Sequence, residues 1–494
     1  MATQTLNNKN TNHSCFVFLI LFALFVRGSV LFSHLETFDA DPDDYGRLAE
    51  NLSIFHVFGS EENPTAFRPP LYPYFLSLLT FLQINPDKSD FLNSILLSRN
   101  ATIALFHWIL GLLTVFLVYR IALECHFTEK AACCAAFLVA VDPILLQQSR
   151  LVMTETFAVF WAALILFFII KLHSVPKNNL SVADLSFSNQ NRNWNSWQNG
   201  IRYSISLVMI GILLGLSVLC RPTFLAFAGL LTLYLAIPLS STQFPKLKPS
   251  QRFILFPFGK IIIFLIGLAI PLSFWAIRNE KVFQRPIITT THSGYTFFLA
   301  NNDDLYDYYH ESRPWLSLWD PTTFHDNWSQ TISVHKSSLK DGSKQTEQEL
   351  LQDSWAQNAA WDVIERRPGD FVTSIVYRIG NLWQFLPYAV PDPQTESQTT
   401  RWIRYAIGLF YLFELGFALI GTLGLAFSIE KNNNQSPCWI FGFLLILSIQ
   451  IPHLIFWTNM RMRAPFMIFI PLLTLYGIGW LYAKTGLRNK NPDR

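Results

Sequence analysis

Residues 152–172 read VMTETFAVFWAALILFFIIKL, an apolar run with one carboxylate, Glu155, near its start and one cation, Lys171, at its end. A helix of that length spans a hydrocarbon core about 30 Å thick, and a strand or a water-facing helix does not need such continuous apolarity. The run therefore predicts a transmembrane helix. Its two ends differ in kind, because a carboxylate just inside a span is costly unless it faces a cavity or a partner, whereas lysine marks the side that does not translocate.

Working outward, about ten segments have this character. The spans lie near residues 15–34, 101–121, 130–147, 152–172, 203–220, 223–239, 254–276, 403–427, 437–457 and 464–483. The first, Phe16 to Phe32, carries Arg27 and is followed by Ser33-His34-Leu35-Glu36, a poor cleavage site, so it reads as a retained span. Cationic connections set the orientation. Lys171, Lys177, Arg192 and Arg202 fall in one loop, Lys246, Lys248, Arg252 and Lys260 in another, and Lys484, Arg488, Lys490 and Arg494 at the end. All share one side when both termini are cytoplasmic.

Two large polar segments then lie outside, residues 35–100 and the stretch from Arg278 to Arg401. The first holds an interfacial helix, Tyr72 to Leu82, and the second is rich in Trp (Trp315, Trp319, Trp328, Trp355, Trp361), the mark of a folded layer of short helices. The fold class expected is an all-α polytopic membrane protein. Its organisation is a transmembrane module over 1–276 with the outer loop 35–100, an outer loop or lid over 277–402, and C-terminal transmembrane helices with a cytoplasmic tail over 403–494.

Composition agrees and excludes other classes. Hydrophobic residues make up 51% of the 494, Phe alone numbers 44, and only 14% are charged, which no ordinary water-soluble domain of this size shows. A net charge of +3 on 37 basic and 34 acidic residues gives no reason to expect nucleic acid. The cysteines, among them Cys15, Cys133, Cys134 and Cys220, sit mostly in apolar runs without zinc spacing, and the histidines form no HExxH. No metal ligand set is assigned. Neither GxSxG, a P-loop nor GxGxxG occurs in a suitable context.

The chemistry-bearing residues cluster on the outer side. Directly after the first span comes FDADPDDYGRLAEN, residues 38–51, with Asp39, Asp41, Asp43 and Asp44. Such carboxylates can deprotonate an acceptor hydroxyl or hold a divalent cation. Asp41-Pro42 equally reads as a helix start, with Asp as N-cap, and one residue can do both. In Arg68-Pro69-Pro70-Leu71, the prolines hold an extended backbone and aim a guanidinium suited to a phosphate; an arginine snorkelling before the interfacial helix is the plainer reading. Glu155 opens the fourth span after Asp142-Pro143 ends the third. Arg221, Arg278-Asn279, Arg461 and Arg463 fall at outer span ends. Each alone is an interfacial anchor; together, beside a greasy groove, they suit an anionic lipid headgroup.

These residues resemble the C-type (GT-C) glycosyltransferases, in particular the lipid A aminoarabinose transferase and protein O-mannosyltransferase superfamily and its RgtA/B/C/D-like branch. Asp41, Tyr45 and Ala49 stand in that family's D-x3-Y-x3-A spacing, Arg68-Pro69-Pro70-Leu71 looks like its KPPL or RPP motif, and Thr154-Glu155 like its acidic site. Further matches are Arg221-Pro222, Pro271 to Asn279 with Trp275, Gly294 with Asn301, and Arg461-Met462-Arg463-Ala464-Pro465. The resemblance implies a GT-C-like bundle and an inverting transferase of hexosyl or pentosyl groups. The donor would be a polyprenyl-phosphate-linked sugar and the acceptor a lipid, glycan or protein of the cell envelope, in the plasma (inner) membrane. Asp41 would be the general base, with Asp39 its competitor, Glu155 a second acid, and Tyr45, Arg68, Arg221, Arg278, Asn279, Arg461 and Arg463 substrate ligands. No cofactor is required, although the acidic run could hold a divalent cation. Where many relatives have Asp-Glu this chain has Asp41-Pro42, and where the aminoarabinose branch has lysine it has Arg68. The rival from another class is a flippase or transporter of lipid-linked sugars, which would place its charges near the bilayer midplane rather than at one rim.

Overall fold

The structure is a computed structural model, and it describes residues 2–81, 98–174, 189–237, 257–311, 319–338, 344–387, 396–428 and 436–485. Lys177, Lys246, Lys248, Arg252, Trp315, Arg488, Lys490 and Arg494 lie outside these. Helices dominate: α1 (Ala2–Phe32), α2 (Tyr45–Phe55), α3 (Leu71–Phe81), α4 (Arg99–Glu124), α5 (Glu129–Val141), α6 (Pro143–Ser149), α7 (Glu155–Ser174), α8 (Asn189–Cys220) and α9 (Phe224–Ala236) form the first half. The second half comprises α10 (Pro257–Phe283), α11 (Ser293–Ala300), α12 (Asp303–Glu311), α13 (Thr322–Ser338), α14 (Gln345–Arg366), α15 (Pro368–Trp383), α16 (Gln398–Ser428), α17 (Ser436–Gln450) and α18 (Ile470–Lys484). Among the described residues there is no strand, only the isolated bridge between Gly59 and Pro64.

Among the described residues, six helical stretches are long and apolar enough to cross a membrane: Ser14–Phe32, Arg99–Glu124, Glu155–His173, Gly200–Cys220, Phe258–Phe283 and Gln398–Phe427. The 3₁₀ turn Met460–Phe466 and α18 make a seventh if taken together, and Phe224–Ala236 and Cys438–Leu454 are shorter apolar helices. The chain is thus an all-α, multi-pass membrane protein.

Two expected spans are interrupted. The third does not run through 130–147: α5 stops at Val141, Asp142 accepts a hydrogen bond from the Leu145 amide at 2.9 Å, and Pro143 opens α6. An aspartate that caps the next helix, followed by proline, ends a helix even in an apolar setting. The last span is bent by 76° between the Met460–Phe466 turn and α18.

Close backbone approach, which suits membrane helices, joins α8 to α10. A Cβ on Gly211 would lie 2.4 Å from the Phe264 carbonyl oxygen, and one on Gly267 would lie 2.3 Å from that of Val208. Leu214 and Val218 of α8 and Phe264 of α10 are fully buried in the bundle core. Helices α11 to α15 build a layer of helices with its own cores around Tyr306, Phe324 and Val363 and around Phe297 and Ala360.

Candidate functional site

The site lies where the turn after α1, the start of α2, the segment before α3 and the ends of α7 and α8 meet. A 3₁₀ turn, Leu35–Asp39, leaves α1, buries Phe38 against His107, and ties Thr37 Oγ1 to the Arg150 carbonyl at 3.0 Å. Asp39 stays exposed and accepts from Asn100 Nδ2 at 2.7 Å. The chain then turns through Asp44, whose φ of 60° is one that aspartate tolerates better than most residues, and α2 begins at Tyr45.

Asp41 therefore precedes α2 by a turn instead of occupying its N-cap. Its Oδ2 still receives the Arg47 amide at 3.0 Å, so the carboxylate sits on the open N–H groups of the first turn. Its Oδ1 is buried without a protein hydrogen-bond partner. Burial raises the Asp41 pKa above its ordinary value, against the pull of the Arg47 and Gly46 amides and of Arg99. Gly46 makes room for that cation, since a Cβ there would lie 1.8 Å from Arg99 Nη2.

Arg68 donates to Asp43 Oδ1 at 2.9 Å and faces His292 Nε2 at 3.2 Å, with its guanidinium over Phe67 and Tyr45. Burial and the neighbouring Arg68 charge hold His292 well below the usual imidazole range, which leaves it a neutral acceptor for Arg68. The backbone before Arg68 is pinned from two sides. Arg278 donates to the carbonyls of Thr65 at 2.8 Å and Phe58 at 3.1 Å, while Glu349 accepts from the Ala66 amide at 2.9 Å and from the hydroxyls of Thr65 and Thr291.

Glu155 opens α7 buried between two cations. Its Oε1 lies 3.5 Å from Arg221 Nη1 and 3.7 Å from Arg461 Nε, and Oε2 has no protein hydrogen-bond partner. These are ion pairs held slightly apart rather than closed forks. The other ends of both guanidiniums rest on sulfur, Arg221 on Met462 and Arg461 on Met153. Tyr45 is the link between the two charged groups: its buried phenol feels Arg68 and Asp43, and also Glu155 and Arg221. Tyr72, stacked edge-on to Tyr45, feels Asp41 and Glu155 and bonds His107 at 2.9 Å.

Of the residues singled out in the sequence, Asp41, Tyr45, Arg68, Glu155, Arg221 and Arg461 come together here. Arg278, Asn279 and Arg463 are engaged elsewhere. Arg278 is spent on the loop carbonyls and is sandwiched by Phe58 and Trp275, and Asn279 donates to the Ile287 carbonyl at 2.7 Å. Arg463 is fully buried over the Tyr411 ring and donates to the carbonyls of Leu382 and Gln384. Gly294 and Asn301 serve packing: Gly294 donates to Asp353 at 2.6 Å, and Asn301 receives Tyr306 and Arg378. Asp43, His292, Tyr72 and Glu349 were not singled out as site residues. Asp43 stood in the acidic run, and His292 stood two residues before Gly294, but nothing local says that either meets Arg68. Among the described residues no three His, Cys, Asp or Glu side chains form a group that could hold a metal ion.

The family model described as dolichyl-phosphate-mannose-protein mannosyltransferase matches residues 61–283. That segment includes Arg68, Glu155, Arg221 and Arg278, and the likeness to C-type glycosyltransferases read from the motifs is borne out by it. No curated protein matches the chain. Among solved structures, the Archaeoglobus fulgidus oligosaccharyltransferase tethered to an acceptor peptide containing the NVT sequon is 14% identical with a TM-score of 0.42, over 96% of this chain and 50% of that one. The archaeal oligosaccharyltransferase AglB from the same organism, in complex with an inhibitory peptide and a dolichol-phosphate, is 13% identical with a TM-score of 0.43, over 97% and 52%. This chain spans about half the length of those structures.

Proposed function

We propose that the chain is a membrane glycosyltransferase that moves a sugar from a polyprenyl-phosphate carrier to a cell-envelope acceptor, with Asp41 as general base. The observation that carries this reading is the asymmetry of the Asp41 carboxylate, one oxygen seated on helix amides and the other buried and open, beside a group of arginines at the membrane rim. The family description supports a lipid-phosphate donor and makes a protein the first acceptor to test.

In this reading the carrier phosphate lies against Arg68, Arg221 and Arg461. The acceptor hydroxyl loses its proton to Asp41 as its oxygen bonds to the anomeric carbon. The bond from that carbon to the phosphate oxygen breaks, and its electron pair leaves on the phosphate. Guanidiniums aimed at the developing charge stabilise it by about 3 kcal/mol per donor, and the base adds roughly 10² to 10⁴ in rate. A single displacement inverts the anomeric centre. Glu155 holds the two arginines in place and limits their net charge. Residues 1–276 carry most of the site, 277–402 cover it, and 403–494 add Arg461 and support it, with both termini cytoplasmic in a plasma membrane.

The test incubates purified protein with a panel of polyprenyl-phosphate sugars and follows release of free carrier. Wild type should release it with one donor, and Asp41→Asn should not, while remaining inserted and folded. Full activity of Asp41→Asn removes Asp41 as the base. A flippase would instead move the donor across vesicles equally well in both forms without releasing carrier.

A further inference from the structure

Helix α15 presents an apolar stripe outward over an inward face of mixed character. Its inward face carries Ser374, Arg378 and Leu382, all buried. Arg378 donates to the carbonyls of Leu454 and Ala300 and to Asn301 Oδ1, at 2.6, 2.5 and 2.7 Å. Its outward face presents Val372 (62% exposed), Val376 (59%) and Ile379 (36%). The spacing i, i+4, i+7 puts them on one stripe, with Ile375 and Trp383 half-exposed beside it. A helix on a water-facing layer turns polar side chains outward instead.

What covers the stripe follows from where it leads. At its C-terminal end α15 is fastened to the rim of the transmembrane bundle: Trp383 Nε1 donates to Gln450 at the end of α17 at 3.2 Å, and Arg463 donates to the Leu382 carbonyl. Leu386, just beyond, packs on Gly408 of α16. Exposed apolar side chains beyond this junction are Phe385, Ile451 and Ile455 after α17, and Trp402, Ile403 and Leu409 of α16. Trp402, Ile403 and Leu409 belong to Gln398–Phe427, a stretch long and apolar enough to cross a membrane.

We propose that α15 lies on the membrane surface with Val372, Val376 and Ile379 sunk into the leaflet that borders the site. An apolar stripe on a helix whose C-terminal end is fastened beside a membrane-spanning stretch matches the headgroup–acyl boundary. Docking there fixes the layer of short helices against the bilayer, and Arg378 and Arg463, turned inward, carry that position to α11 and to the Met460–Phe466 turn. The proposal stands independently of the role given to Asp41.

The test places a nitroxide at Val376→Cys, in full-length protein with Cys15 and Cys134 replaced by serine, reconstituted in phosphatidylcholine–phosphatidylglycerol vesicles. Power saturation should show the label more accessible to oxygen than to a water-soluble nickel chelate, with the order reversed at Asp326→Cys on α13. Val372→Cys reads the same face should the first label disturb insertion. High nickel accessibility at both stripe positions overturns the proposal. So does shielding from both reagents, which would mean that a protein surface or a second copy covers the stripe.

Discussion

At Asp41, burial and hydrogen bonding oppose one another: desolvation favours the protonated acid, while the helix amides and Arg99 favour the carboxylate. Burial prevails, so the folded protein keeps this proton to a higher pH than the ordinary value of 3.8. Activity should then fall on the acid side with a midpoint above that value, and a pH–rate profile of carrier release will show it. His292 shifts the other way, because burial and Arg68 disfavour its protonation. The unfolded chain takes up that proton near pH 6.5 and the folded one does not, so stability is lost as pH falls through that region. Melting temperatures at pH 7.5 and 5.5 should differ less in His292→Gln than in wild type. Asp43 and Arg68, at 2.9 Å and mostly shielded, should couple by about 0.5–3 kcal/mol in a double-mutant cycle read on apparent donor affinity.

Single elements depend on glycines that admit another group. Helix α2 carries Gly46 under Arg99, which also pairs with Glu50 at 3.0 Å. Gly46→Ala is favourable for the helix by about 0.5–1 kcal/mol but pushes the Arg99 tip away from Asp41. The melting point should change little while turnover drops, by up to about 10²-fold if Asp41 moves with it. Gly294→Ala is the contrasting case. A Cβ there would lie 2.1 Å from the Asp353 backbone oxygen, which cannot swing aside as a side chain does. It should cost about 1–3 kcal/mol in overpacking between α11 and α14, visible as a lower melting temperature.

Across the whole molecule, distant segments hold the site by sharing polar contacts. Arg278 from α10 and Glu349 from α14 both fasten the backbone that leads into Arg68. The proposed orientation has a direct check through thiol labelling. An impermeant reagent should modify Asp326→Cys in intact cells and reach Lys484→Cys only after permeabilisation; the reverse pattern would invert the topology.

Membrane character, most span positions, a helix over Leu71–Phe81 and the short-helix layer were legible along the chain, because hydrocarbon thickness imposes a run length that any local window reveals. Asp41, Arg68 and Glu155 could also be picked out, since a charge beside an apolar run is conspicuous by its cost. Only the tertiary structure decided which arginines meet them. Arg278 and Arg463 look like Arg221 and Arg461 in sequence, yet Arg278 and the Nη1 of Arg463 donate to backbone carbonyls brought in from remote segments. Helix α15 was hidden for the same reason, as an apolar stripe means core or lipid depending on which side the neighbours occupy. The pattern of apolar and polar residues is set by the solvent each segment meets, whereas the partner of each charge is set by packing between segments hundreds of residues apart.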